Sequence, residues 1–161
     1  MDYIARTASL AEMFTTAMAF ERNTQVFYEV LMERIEEGPL RRLLWTLALE
    51  GARHYHLCRD IAEREHAHDH ADDVIHWPAV HEDFLRCMHT PDLGDEPTRY
   101  DILGVSVHRE TVAFEEYAEL ADSTPVGPIA DLFLDLAGDN AARKSQLQKM
   151  LDEPEDRVAV I

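Results

Sequence analysis

Apolar residues recur along the chain at alternating intervals of three and four residues, in four long stretches. This spacing returns to the same face of an α-helix at every turn, so each stretch predicts an amphipathic helix. Each face forms a seam that includes a few polar residues. The four seams are Leu10, Phe14, Ala17, Glu21, Thr24, Tyr28, Leu31 and Ile35; Leu40, Leu44, Leu47, Gly51, His54, Cys58 and Ile61; Leu103, Ser106, Glu110, Ala113, Tyr117 and Leu120; and Ile129, Phe133, Leu136, Asn140, Arg143, Leu147 and Met150.

Signals for helix ends separate these stretches. Ser9 and Glu12 form a capping-box pattern before the first helix, and Thr98 suits the N-cap of the third. At Gly38–Pro39 the first helix is expected to stop on a left-handed glycine, and the second to begin on the proline. Four long predicted helices and no predicted sheet indicate an all-α protein.

The second half of the chain repeats the first. Glu21 falls on Glu110 and Tyr28 on Tyr117, each 89 residues further on, without a gap. The turn residues Gly38–Pro39 also have a counterpart at the same offset. The chain therefore reads as two antiparallel helical hairpins joined by a long crossover, which is the ferritin-like arrangement of a four-helix bundle.

The punctuation of the sequence divides this single predicted domain into three parts. Proline in the crossover predicts a short helix there, because its ring is tolerated in the first turn. The predicted parts are hairpin one at about 9–65, the crossover at 66–98 with a short helix from Pro78 to about Met88, and hairpin two at about 99–152, all within one domain of residues 1–161.

Charge and composition exclude several classes of function. The 161 residues include 32 acidic and 15 basic side chains, a formal charge of −17, which disfavours nucleic acid and anionic membrane surfaces as partners. There is no apolar run of about 20 residues and no signal-peptide pattern, and the two cysteines cannot make a disulfide framework. We therefore expect a cytoplasmic protein. No motif indicates a nucleotide, flavin or haem cofactor.

Three segments resemble the rubrerythrin family of the ferritin-like superfamily. Glu21-Arg-Asn-Thr-Gln-Val-Phe-Tyr28 and Glu110-Thr-Val-Ala-Phe-Glu-Glu-Tyr117 match the family's metal-binding Glu seven residues before an aromatic residue. Leu47-Ala-Leu-Glu-Gly-Ala-Arg-His54 resembles the helix-two motif in which Leu-Ala leads into Glu-x-x-His. The resemblance covers about residues 10–65 and 99–152, most of the chain.

The resemblance implies a bundle that binds two irons through four Glu and two His, and that reduces peroxide or handles iron. It also implies a homodimer formed through long helix faces, with a redox partner that the sequence does not name. Many such proteins carry a separate rubredoxin-like module, in which four cysteines hold an iron. With two cysteines, this chain is expected to lack that module.

Half of the ligand set implied by the resemblance is present. Glu21 matches the ligand of helix one, Glu110 that of helix three, and His54 the histidine of helix two. These three residues with water could hold one Fe, Mn or Zn ion. Glu50, four residues before His54, could join them if it leaned inward. An iron-dependent, peroxide-reducing or iron-handling oxidoreductase is the alternative function that such a site would serve.

The other half of the set is replaced by Gly51, Asn140 and Arg143. Two buried carboxylates then face one guanidinium, whose fork of donors suits carboxylates, and a protonated His54 would make the layer neutral without metal. The amide of Asn140 can add hydrogen bonds. The main hypothesis is a bundle neutralised by Arg143 that acts as a scaffold or interaction domain, and not an active di-iron peroxidase.

Two tyrosines face the same predicted layer, Tyr28 and Tyr117. Tyrosines beside iron can be redox-active. In a buried layer with carboxylates they more often bury the ring and donate the hydroxyl to an acidic oxygen. We therefore expect each of them to hydrogen-bond one of the buried glutamates.

The crossover is a second candidate metal site, because His66, His68 and His70 alternate there. Imidazole suits Zn, Ni and Cu, and short histidine-rich tracts often bind these metals. If helix two continues through His70, then His66 and His70 share a face; if the segment is extended, all three do. The competing interpretation is a solvated stretch without specific affinity.

Overall fold

A computed structural model describes residues 6–153. In this part of the chain four long helices dominate, so the predicted all-α class is confirmed. The elements are β1 (Thr7–Ser9), α1 (Leu10–Met32), α2 (Pro39–Arg64), a 3-10 turn (Ala67–His70), β2 (Val74–His76), α3 (His81–Arg86), α4 (Arg99–Ser123) and α5 (Pro128–Asp152). The chain ends, residues 1–5 and 154–161, lie outside this range, including the N-terminus used for the signal-peptide prediction and the outer limits of the predicted domain.

The helix starts follow the sequence signals. Ser9 Oγ accepts a hydrogen bond from the backbone N–H of Glu12 at 3.1 Å, which supplies the N-cap half of the predicted capping box. Thr98 makes the complete box: its Oγ1 accepts from the Asp101 N–H at 3.1 Å, and its own N–H donates to Asp101 Oδ2 at 2.8 Å. These bonds satisfy amide groups that the first turn of a helix leaves without partners.

The predicted left-handed stop of α1 at Gly38 was wrong. Helix α1 ends six residues earlier, at Met32, and Gly38 is instead the N-cap of α2. Its φ of +157° with ψ of −172° suits the residue before a proline, which favours extended ψ. Gly127 has nearly the same angles before Pro128. The repeated Gly-Pro pair therefore starts the second helix of each hairpin and does not end the first.

Two apolar clusters form the core. One joins Phe14, Phe20 and Tyr117 with the crossover residue Phe84, and the other joins Tyr28, Leu44 and their neighbours. Helix α1 packs chiefly on α2, and α4 on α5, as two hairpins. A layer of buried polar side chains, described below, occurs among the seam positions of all four helices.

The crossover contacts both ends of α1. Strand β2 pairs antiparallel with β1, which immediately precedes α1. Further along, Arg34, just past the end of α1, donates to the carbonyl oxygens of Gly94 and Asp95 at 2.7 and 3.1 Å. The segment therefore runs the length of the helices. Its short helix α3 (His81–Arg86) begins later and ends earlier than predicted. In the described range, no helix has the length and apolarity needed to cross a membrane.

Gly51 allows a close contact between α1 and α2. A Cβ at this position would lie 2.8 Å from Thr24 Cγ2 and 2.9 Å from the backbone nitrogen of Gln25. Both distances are well inside van der Waals contact, so a larger residue would push the two helices apart. The absence of a side chain at position 51 thus sets the spacing of the first hairpin.

Gly51→Ala is expected to lower the free energy of unfolding by about 1–3 kcal/mol, the usual cost of overpacking a filled site. The matched control is Gly104→Ala on α4, where an added Cβ meets nothing within 4 Å. That change should raise the free energy of unfolding by up to about 1 kcal/mol, because alanine favours the helix. Urea unfolding measures both, and equal effects at the two sites would contradict the close contact.

Candidate functional site

The seam residues that match or replace the expected metal ligands are buried in the interior. Glu21, His54, Glu110, Asn140 and Arg143 are each 2% exposed or less. His54 Nδ1 lies 3.6 Å from Glu21 Oε2. The side chains come from α1, α2, α4 and α5, one or two from each helix, so the layer depends on all four helices being in place.

Two crossed hydrogen bonds join α1 to α4. Tyr28 donates to Glu110 Oε1 at 2.5 Å, and Tyr117 donates to Glu21 Oε1 at 3.0 Å. This confirms the predicted hydrogen bonds from the tyrosines to the buried glutamates. Along α1, Tyr28 follows Glu21, whereas along α4 the partner of Tyr28, Glu110, precedes the partner of Glu21, Tyr117. The two helices therefore run antiparallel. Burial, together with the partner glutamates, raises the pKa of both tyrosines well above 10, so both hydroxyls stay protonated and donate.

A second crossed pair joins α2 to α5. Glu50 Oε2 accepts from Arg143 Nε at 2.6 Å, and Asp139 Oδ2 lies 2.8 Å from His54 Nε2. Glu50 and Asp139 are repeat mates, 89 residues apart, and so are His54 and Arg143. In each of the two pairs, the acid of one helix therefore contacts a residue on the other helix at the position four residues after that helix's own acid. Glu50 and Asp139 remain partly exposed at its outer edge.

Both ring nitrogens of His54 have polar partners. Arg143 Nη2 lies 3.2 Å from Nδ1, and Asp139 Oδ2 lies 2.8 Å from Nε2. A metal ion could bind either ring nitrogen only by displacing Asp139 or Arg143 from these contacts.

The two buried glutamates titrate in opposite directions. Burial raises the pKa of Glu21, but His54, Arg143 and Arg109 outweigh burial and hold this pKa below 4.5. For Glu110, burial dominates and raises the pKa above 4.5, against the opposing effects of Arg143, Tyr28 and Arg109. The difference arises because Glu21 lies beside His54, whereas Glu110 has Tyr28 as its hydrogen-bond donor.

Arg143 stays charged in this layer. Burial lowers its pKa, but Glu110, Glu21 and Glu50 outweigh this effect and raise the pKa above its usual value. Its side chain is only 3% exposed. A buried guanidinium between carboxylates supplies positive charge where a metal ion would otherwise have to supply it.

The residues present do not fit a two-metal centre. A carboxylate at position 51 would need a Cβ in space that Thr24 fills, and the ring nitrogens of His54 are already hydrogen-bonded. Within residues 6–153, no group of three or more His, Cys, Asp and Glu side chains is arranged to hold an ion. Glu50 could have joined such a site only by leaning inward, and it instead contacts Arg143 at the partly exposed edge of the layer.

Neither conformation considered for the histidine-rich segment is correct. Helix α2 ends at Arg64, His66 has a left-handed φ of 49°, and the following residues form a 3-10 turn. The side chains contact acids: His68 Nε2 lies 3.1 Å from Asp69, and His70 Nδ1 lies 2.5 Å from Asp73. The left-handed residue breaks both the helical and the extended spacing.

A second buried histidine of the described residues, His81 of α3, pairs with Glu116 of α4. Its Nδ1 lies 2.6 Å from Glu116 Oε1, and both residues are buried. Burial raises the pKa of Glu116, although the hydrogen bond and charge of His81 act to lower it. This pair fixes α3 against α4. No pattern described for the sequence singles out His81 or Glu116.

Arg109 and Asp139 were also missed, although the sequence holds a signal for each. Asp139 is the repeat mate of Glu50, so an acid flanking one seam predicted an acid flanking the other. Arg109 lies at the same heptad position as buried Ile102, and its repeat mate is buried Phe20. The heptad spacing therefore placed Arg109 inside.

No protein-family profile, characterised protein or solved structure matches this chain.

The opposite pKa shifts of Glu21 and Glu110 predict opposite effects of one isosteric change. Glu21→Gln should lower the free energy of unfolding at pH 7 by about 1–3 kcal/mol, the usual value for hydrogen bonds to a charged group. Because a lowered pKa contributes stability only above the unfolded value of 4.5, this loss should shrink as the pH falls below 4.5.

Glu110→Gln keeps an oxygen to accept from Tyr28 but removes an acid whose pKa is raised. A raised pKa contributes stability below 4.5 that is lost as the pH rises through the folded-state pKa. Glu110→Gln should therefore raise the free energy of unfolding at pH 7, with the gain disappearing below pH 4.5. Urea unfolding at several pH values measures both variants, and changes of the same sign at pH 7 would contradict the assignment.

Proposed function

We propose that this chain is a ferritin-like four-helix bundle, resembling rubrerythrins, whose central metals are replaced by an internal ion network. Three observations support the arrangement. The helices form two hairpins, the contacts between α1 and α4 and between α2 and α5 are antiparallel, and the crossover runs the length of the helices. In this proposal the protein is cytoplasmic, lacks peroxidase activity, and acts as a scaffold or interaction domain.

The contact of Arg143 with His54 and Glu50 carries the proposal. Its Nη2 approaches one ring nitrogen of His54 at 3.2 Å, and its Nε donates to Glu50 at 2.6 Å. Arg109 adds a second buried positive charge that lowers the pKa of Glu21. The two arginines supply two positive charges against Glu21, Glu110 and the partly exposed Glu50 without any metal ion.

One observation favours the alternative of a mononuclear site and an iron-dependent oxidoreductase. Glu21 Oε2 and Glu110 Oε2 are buried without hydrogen-bond partners among residues 6–153. Oxygen atoms of this kind are ligands for Fe, Mn or Zn, with His54 as the third donor. Arg143 opposes this alternative, because its charge repels a cation near the same carboxylates.

The deciding experiment is the metal content of untagged protein after mild chelation, measured by mass spectrometry. We expect less than about 0.1 equivalent of Fe, Mn or Zn per chain in fully folded protein, because half of the ligands are missing. One equivalent that disappears in Glu110→Ala would instead establish the mononuclear site. Metal that disappears only when His66, His68 and His70 are replaced by Ala would assign binding to the crossover.

Arg143→Ala tests the charge replacement directly. It should lower the free energy of unfolding by about 3–5 kcal/mol, because the buried carboxylates lose their cation. The control is Arg53→Ala, which removes an exposed arginine that contacts Asp139. This change should lower the free energy of unfolding by less than about 1 kcal/mol. An Arg143→Ala protein as stable as the parent, or one that gains bound metal, would contradict the replacement.

Three exposed apolar side chains on α1 and α2 support the role in interaction. Val26 on α1 with Trp45 and Leu49 on α2 are each about half exposed, an unusual grouping of large apolar side chains. Arg22 and Glu29 flank Val26 on either side along α1. If two copies paired about a two-fold axis near Val26, Arg22 of one copy would face Glu29 of the other. A homodimer through this patch is therefore part of the proposal.

Sedimentation equilibrium tests the dimer. The parent protein should have twice the mass of the chain at micromolar concentration, and Leu49→Glu should weaken self-association at least about tenfold. Leu134→Glu, at an exposed leucine of α5, is the matched control and should leave association unchanged. A monomeric parent, or equal weakening by both variants, would contradict this interface.

A further inference from the structure

The pair of His81 and Glu116 lies at the edge of a cavity. The His81 side chain is 5% exposed, and that of Glu116 is fully buried. His81 Nδ1 lies 2.6 Å from Glu116 Oε1. In the described range Nε2, on the other side of the ring, has no hydrogen-bond partner and is not among the fully enclosed polar atoms. Because His81 lines a cavity of about 390 Å³ beside α3, Nε2 can contact a molecule bound there.

The burial of this pair indicates a proton on Nε2. With both side chains removed from water, a net charge on the pair would be costly. Two arrangements are neutral: an imidazolium with a carboxylate, and an imidazole with a carboxylic acid that donates to Nδ1. Nε2 carries a proton in both. Burial also raises the pKa of Glu116, which favours a proton within the pair. The ring therefore offers a hydrogen-bond donor to the cavity.

The lining of the cavity also carries two charges of each sign. Arg6 pairs with Glu82, and Arg86 pairs with Asp83 at 2.9 Å. All four side chains are at least half exposed, and exposed ion pairs of this kind stabilise a protein little. A molecule with one positive and one negative group can replace a partner in each pair and leave every charge compensated. An ion of a single sign would leave one charge unpaired.

An aromatic wall completes the cavity. The Trp77 ring lies beside His81, with 4.3 Å between the two ring centroids, and Pro78 and Ala79 continue the apolar side. Another aromatic ring packs favourably against a Trp ring. At about 30 Å³ for each water-sized group, the cavity holds about thirteen such groups, close to the size of phenylalanine.

We propose that this cavity binds an aromatic amino acid in its zwitterionic form. The carboxylate accepts from the Nε2–H of His81 and pairs with Arg86. The ammonium group pairs with Glu82, and the aromatic side chain packs on Trp77. Glu116 is a positioning residue that holds the imidazole from behind. The proposal rests on α3 and its cavity, and is independent of whether metal binds the central layer.

The test is a titration of nitrogen-15-labelled protein with L-phenylalanine, followed by the backbone amide signals in proton–nitrogen NMR spectra. We expect the signals of α3 and of Trp77 to move and saturate, because these residues surround the ligand. Three compounds each lack one group: 3-phenylpropanoate the ammonium group, 2-phenylethylamine the carboxylate and L-alanine the ring. Each should bind at least about tenfold more weakly, a difference of about 1.4 kcal/mol.

Two arginine variants connect binding to the cavity. Arg86→Gln removes the partner of the ligand carboxylate and should weaken L-phenylalanine binding at least about tenfold. Arg42→Gln removes an exposed arginine of α2 that does not line the cavity, and should leave binding unchanged. Both side chains are exposed, so both proteins are expected to fold. Signals of α3 that do not move, equal binding of any of the three compounds, or equal loss in the two variants would overturn the proposal.

Discussion

Two glutamates inside a set of four helices must have their charge compensated, and much of this structure is arranged around that requirement. Glu21 and Glu110 each accept a hydrogen bond from a tyrosine on the opposite hairpin, so each carboxylate also joins α1 to α4. The positive charge comes chiefly from Arg143, which is positioned by a carboxylate at the surface edge of the seam between α2 and α5. Removing Arg143 would leave Glu50 without its donor and would take away a cation that acts on both buried glutamates.

The repeat preserves geometry while allowing the chemistry of the two halves to differ. His54 and Arg143 occupy equivalent positions and each contacts the acid contributed by the other hairpin. Phe20 and Arg109 are also equivalent, and the guanidinium lies over the ring of its own repeat mate. Similar backbones thus hold unlike side chains face to face near the axis that relates the two hairpins.

The long helices and their buried faces were predictable because apolar residues spaced three and four apart lie on one face of an α-helix. The crossed tyrosine–glutamate pairs were accessible for the same reason. The partners of residues beside the seam were harder to predict: spacing along one helix shows which face Asp139 and Arg109 occupy, but not which residue of the facing helix each one contacts. The conformation of the histidine segment was mispredicted for a different reason, because no glycine or asparagine marks the left-handed backbone at His66.

The close packing at Gly51 restricts the order in which this protein could change. Replacing Gly51 by glutamate would add a candidate metal ligand, but the new Cβ would overlap Thr24. Thr24 would have to become smaller first, and that residue also accepts a hydrogen bond from Arg109. A carboxylate at position 51 therefore requires linked changes on α1, α2 and α4. The spacing between two helices thereby makes the present chemistry of the layer difficult to change in single steps.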